Sequence, residues 1–245
     1  MIDERVLLNL PIEFKGICKI YPPTVKEVVG LEHFDAFRAA LTLSQEEIED
    51  AYFGSNSTSQ SQFEIPTPFQ YLLITYYQEG SMRELIKEAF EFFLKTPVTI
   101  IPELEIIVVG VEEENLNPEK DLVEENLINA DNFFDFQNKI RYCMGINPVE
   151  KPDPDEDPRV KRIKAKGRER ERIKARKSKQ TLGGLLTSIC CMGIGLTPLN
   201  IGEISYAAVT WIIETYQGKE AYDIDIRCLL AGADSKKIKP KYWIK

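Results

Sequence analysis

The residues with the clearest capacity for chemistry lie between Arg159 and Lys179, where twelve Lys or Arg stand against two Glu. That tract nets +10 in a chain of 245 residues whose formal charge is −8, which leaves −18 elsewhere. Cations at this density can neutralise phosphates or clamp an acidic protein surface. Two features weigh against nucleic acid. No aromatic side chain is interleaved for base stacking, and the remaining −18 repels a polyanion. An acidic partner surface, or a role as a stiff charged spacer, fits better. Arg168, Arg170, Arg172, Lys174 and Arg176 are the cations expected to meet a partner. Trp211, Tyr242 and Trp243 are the aromatic residues that could anchor one. Trp211 has a competing and stronger reading as the filler of a small core, whereas Tyr242 and Trp243 lie near the chain end.

The other titratable groups form no catalytic set. His33 is the only imidazole, so every His-dependent triad or general-base scheme would have to use it, and no nucleophile elbow accompanies it. Glu112-Glu113-Glu114 and Asp153-Asp155-Glu156-Asp157 lack the spacing of a calcium loop and read as solvated charge runs. Gly193-Ile194-Gly195 follows a helical segment and has no third glycine, which suits a helix-ending turn and not a dinucleotide loop. Cys18, Cys143, Cys190, Cys191 and Cys228 contain no Cys-x-x-Cys pair and suit a reducing cytoplasm. No cofactor, no metal and no enzymatic activity are expected. No signal peptide is read at Met1-Ile2-Asp3-Glu4-Arg5. The longest nearly uncharged apolar stretch, 185–196, is shorter than the roughly 20 residues of a membrane span.

The elements that must position these groups read as mainly α with small β-hairpins. An α+β N-terminal domain (1–147) is followed by an acidic then basic linker (148–180) and a helical C-terminal domain (181–245). Residues 6–21 read as a short hairpin, in which 12–14 and 17–20 alternate apolar with polar around Lys15-Gly16. Thr24 with Glu27, Ser44 with Glu47 and Ser81 with Glu84 have capping-box spacing. A Ser/Asn/Gln run from Gly54 to Gln62 reads as a loop. Residues 68–79 and 81–95 carry apolar helical stripes. Val98–Ile101 and Leu104–Val109 read as a second hairpin, and Asn117-Pro118 as a helix start. Asn129 or Asp131 caps a helix through Cys143 that Gly145 ends. The basic tract is expected to be an exposed, frayed helix that firms up against an acidic partner. In the C-terminal block, Leu185 to Met192 reads as one helix. Asn200 is expected to cap the next, Gly218 to stop it, and 219–231 to form a further one. A block of this size has a marginal core and is expected to dock on the N-terminal block or on a partner.

The succession of Asp131-Asn132-Phe133-Phe134-Asp135-Phe136-Gln137-Asn138-Lys139-Ile140-Arg141, an acidic linker, Asp157-Pro158-Arg159-Val160-Lys161-Arg162, a helical block, Leu229-Leu230-Ala231-Gly232-Ala233-Asp234-Ser235-Lys236-Lys237 and Lys241-Tyr242-Trp243-Ile244-Lys245 resembles tail-region proteins of tailed phages and prophages of Gram-positive bacteria. It is similar to their tail assembly chaperones, over roughly residues 125–245. That resemblance implies a non-enzymatic protein of the bacterial host cytoplasm. It would bind the tape measure protein, and with it the tail tube protein, during tail morphogenesis and leave before the particle is finished. Self-association is a further expectation; a membrane is not. The alternatives are a structural tail or baseplate component and, behind it, a nucleic-acid-binding regulator.

Overall fold

A computed structural model describes the chain except residues 1–3, 54–64, 79, 152–156, 158, 161–162, 165, 169, 171–172, 174–180, 235–237 and 243–245. The fold is mainly helical, with one two-stranded and one three-stranded antiparallel sheet among the described residues. The hairpin does not reach back to residue 6 as expected: a short helix α1 (Glu4–Leu7), with Val6 buried, leads into β1 (Ile12–Phe14) and β2 (Cys18–Ile20), in register Ile12↔Ile20. Its turn has positive φ at both Lys15 (48°) and Gly16 (76°), the twist that matches two paired strands.

Helix α2 (Val25–Gly30) starts on a complete capping box. Thr24 accepts from the Glu27 N–H, and Glu27 accepts from the Thr24 N–H at 2.8 Å. The same reciprocal pair joins Ser44 and Glu47 ahead of α4 (Gln45–Phe53), which follows α3 (Phe34–Thr42). Helix α5 (Pro68–Gln78) has a capping box that the sequence pattern did not single out, Thr67 with Gln70. The expected box at Ser81 is not the start of α6 (Gly80–Leu94), because that helix already includes Gly80.

Strands β3 (Val98–Ile101) and β4 (Ile106–Val109) pair as expected, with Leu104 in a 3₁₀ turn and not in the strand. A third strand, β5 (Leu127–Asn129), adds to β4 through Ile107↔Ile128. Between them Pro118 opens a single helical turn, α7 (Pro118–Asp121). Asn129 then caps α8 (Ala130–Cys143), which runs through the middle of the core. Phe136, fully buried, touches Phe14 at 5.5 Å, stacks on Phe90 at 5.6 Å and meets Phe133 at 6.2 Å. Each such ring contributes about 1.5–3 kcal/mol by burial alone.

The C-terminal part differs from expectation in its boundaries. Helix α9 (Leu182–Cys191) is capped by Thr181. Asn200 caps no α-helix. Its carboxamide ties the turn before it, accepting from the Thr197 N–H at 2.7 Å and donating to the Gly195 carbonyl at 3.1 Å. Ser205 is the cap, and α10 runs unbroken from Tyr206 to Leu230 through Gly218. One interior glycine costs about 1 kcal/mol, which good helix formers on either side offset.

This block docks on the preceding one through backbone as well as side chains. The Val25 N–H donates to the Ile204 carbonyl, the Tyr206 N–H donates to the Pro23 carbonyl, and Thr24 bridges Ser205. Ala207 is buried in the main core, while Val25 joins Ile189, Ile201 and Val209 in a smaller second cluster. No helix among the described residues is long and apolar enough to cross a membrane.

Candidate functional site

Phe133 and Phe134 are neighbours on α8, and one helix face cannot bury both. Phe133 points into the core, packed on Phe69 of α5 with ring centroids 4.8 Å apart, while Phe134 is half-buried. Between them and the start of α4 lies a cavity of about 320 Å³. Its apolar lining comes chiefly from Pro68, Phe69, Phe133, Phe134 and Val149, and its charged rim from Glu46, Glu49, Glu150 and Arg168.

The walls are held by directed bonds. The segment leaving α8 turns at Gly145 and runs back along the helix. Asn138 and Val149 bond reciprocally, side-chain amide to backbone, at 3.0 and 2.8 Å. Arg141 donates through Nε to the Asn147 carbonyl and through Nη1 to the Thr42 carbonyl. Burial lowers the Arg141 pKa, though it stays a cation. Buried Gln137 donates to the Leu43 carbonyl at 2.8 Å and so fixes the α3–α4 corner beside the cavity. At the outer edge, Lys151 stands over the Phe134 ring, 5.8 Å from its centroid. A wider and more open hollow lies beside Lys15, Asp135 and Lys139. The Lys15–Asp135 ion pair, at 2.6 Å, borders it, and Phe14, Tyr142 and Pro148 supply its apolar wall.

The described residues of the basic tract between 159 and 173 are helical. Arg168 corrects the expectation of an arm left entirely for an outside partner. Its guanidinium folds back onto α4, Nη1 on the Glu46 carboxylate at 2.5 Å and Nε 3.7 Å from Asp50. The Arg168 side chain is 25% exposed. Nε is buried and lacks a hydrogen bond, since 3.7 Å is an ion-pair distance only. Arg170 is exposed. Arg172, Lys174, Arg176 and Trp243 lie outside the described residues, as do the Gly54–Gln62 run and the acids Asp153, Asp155 and Glu156.

Trp211 packs its ring 5.3 Å from that of Tyr142 on α8 and lies against the main core. Tyr242 is 60% exposed, edge-on to Tyr222 at 5.6 Å. The structure therefore does not bring Arg168, Trp211 and Tyr242 to one site, since each contacts a different element. It assembles instead a pocket from five separate stretches of chain. Phe133-Phe134 was its one local signal, two large apolar residues side by side on a helix whose stripe needs only one of them. No family model, curated protein or solved structure matches the chain.

Proposed function

We propose that this chain is a non-enzymatic tail assembly chaperone of a tailed phage or prophage, transiently holding the tape measure protein in the bacterial cytoplasm. The observation that carries the reading is the preformed, phenylalanine-lined pocket at the surface end of α8. Helix α8 also contains one of the stretches, Asp131 to Arg141, on which the resemblance over roughly residues 125–245 rests. Tape measure chains are long amphipathic helices that aggregate when their apolar stripe is bare. A helix of that kind is held by setting apolar side chains into a groove while charged flanks fix its register. The pocket offers the first, and the charges of α4 and the basic tract offer the second.

Co-expression with the tape measure protein tests the proposal. The client should stay soluble and co-elute with this chain, and purified particles should lack the chain by mass spectrometry. A client that remains insoluble, with no complex eluting, ends the chaperone reading. Stoichiometric presence in finished particles ends it in favour of a structural tail component.

A further inference from the structure

The pocket's occupant can be narrowed by its size and its charges. At about 320 Å³ the cavity is at the small end of ligand sites and far too small for a helix. A helix lying across the mouth would insert one large apolar side chain onto the Phe69–Phe133 floor. Three carboxylates border the mouth, and of these Arg168 pairs with Glu46, its Nε turned toward Asp50 behind it. Glu49 and Glu150 are exposed and make no ion pair among the described residues. The rim already takes cations from its own chain at two places, Arg168 on Glu46 and Lys151 over Phe134. An acidic flank brought to the same rim would meet the Glu49 and Glu150 carboxylates, which make no ion pair among the described residues, and be repelled.

We propose that the pocket receives an apolar side chain from a partner helix that carries Lys or Arg beside it, the cations facing Glu49 and Glu150. The inference rests on the client-binding reading above and adds the chemistry of the bound segment. It also assigns Arg168 a different part from that of a partner-binding cation. Arg168 competes with the incoming cation for the acidic edge of α4.

The probes are two fluorescein-labelled amphipathic peptides of about 20 residues, long enough to form a helix. Both have one apolar stripe with a central Phe, and one is flanked by Lys where the other has Glu. Binding to the full chain is followed by anisotropy. The Lys-flanked peptide should bind at least tenfold more tightly than its Glu-flanked counterpart, and the preference should shrink as salt rises. Ala130→Trp, at an exposed position on the lining, should weaken the Lys-flanked peptide at least tenfold by filling the mouth. Because a net negative protein attracts any cation, the deciding comparison is between two charge reversals of equal size. Glu49→Lys with Glu150→Lys should abolish the preference, whereas Glu113→Lys with Glu114→Lys, away from the pocket, should leave it within about twofold. Arg168→Ala should tighten the Lys-flanked peptide several-fold.

Equal binding of the two peptides, no binding of either, or indifference to Ala130→Trp in a variant of unchanged melting temperature would each overturn the inference. So would equal effects of the two charge reversals. None of these results requires the tape measure protein, so the pocket can fail while co-expression succeeds, and the reverse outcome is read independently.

Discussion

Replacing Gly145 by alanine should separate two costs that usually arrive together. Gly145 ends α8 in a Schellman arrangement, its own N–H donating to the Tyr142 carbonyl and the Ile146 N–H to the Arg141 carbonyl. Its φ is +68°, a conformation that costs an alanine about 1–2 kcal/mol. A Cβ there would also stand 3.2 Å from the Ala207 Cα and 3.2 Å from Thr210 Cβ and Oγ1, all on α10. Forcing a methyl into such a contact adds about 1–3 kcal/mol. Gly110 is the control, with φ +87° and nothing within 4 Å of the place a methyl would take, so only the conformational cost applies. Gly145→Ala should therefore be less stable than Gly110→Ala by about 1–3 kcal/mol. At about 2–4 °C per kcal/mol for a chain of this size, the difference is visible in thermal melts. Urea titration followed by Trp211 fluorescence, in a Trp243→Phe background, reads the α8–α10 contact directly because Trp211 packs on Tyr142. Equal losses for the two variants would mean that α10 does not lie against the end of α8, and the docking of the C-terminal block described above would be wrong.

Three further outcomes follow from particular contacts. Phe136→Ala removes a fully buried ring at the centre of the aromatic cluster and should cost about 3–5 kcal/mol in urea unfolding; a loss under about 1 kcal/mol would place the core elsewhere. The Lys15 ammonium, hydrogen-bonded to Asp135, holds that carboxyl below its usual range against a small opposing effect of burial. Because the folded pKa is the lower one, the pair stabilises the protein above the unfolded value of about 3.9 and is lost as pH falls through the folded value. Both side chains are more than two-fifths exposed, so Lys15→Met should cost under about 1 kcal/mol at pH 6. That cost should vanish on acidification, and one that grew instead would contradict the pairing. Burial pushes the Cys18 thiol up to about 12, whereas Cys191 is exposed. Iodoacetamide at pH 8 should modify Cys191 in the folded protein and reach Cys18 only after unfolding, as mass spectrometry of tryptic peptides would report.

What residue order determined alone are the features that act within about one helical turn or one tight turn. The boxes at Thr24–Glu27 and Ser44–Glu47, the Asn129 cap, the Lys15-Gly16 turn and the stop at Gly145 are each satisfied by partners three to five residues away. Their geometry was therefore legible before any tertiary contact. The same short range explains the misplaced signals. Ser81 and Asn200 have capping chemistry, but the chain enters its helices elsewhere. Gly218 has a breaker's propensity of only about 1 kcal/mol, too little to interrupt α10. Strand β5 is three residues long and exists because Ile107 of β4 offers it a partner. The pocket needed more still. Glu46 and Arg168 are 122 residues apart, and Phe69 meets Phe133 only once α5 and α8 are packed. Charge pattern alone raised the expectation of an acidic surface for the basic tract. That Glu46 and Asp50 of the same chain meet Arg168, while Glu49 and Glu150 make no ion pair among the described residues beside an apolar hollow, was decided by burial of the aromatic core, which no periodicity encodes.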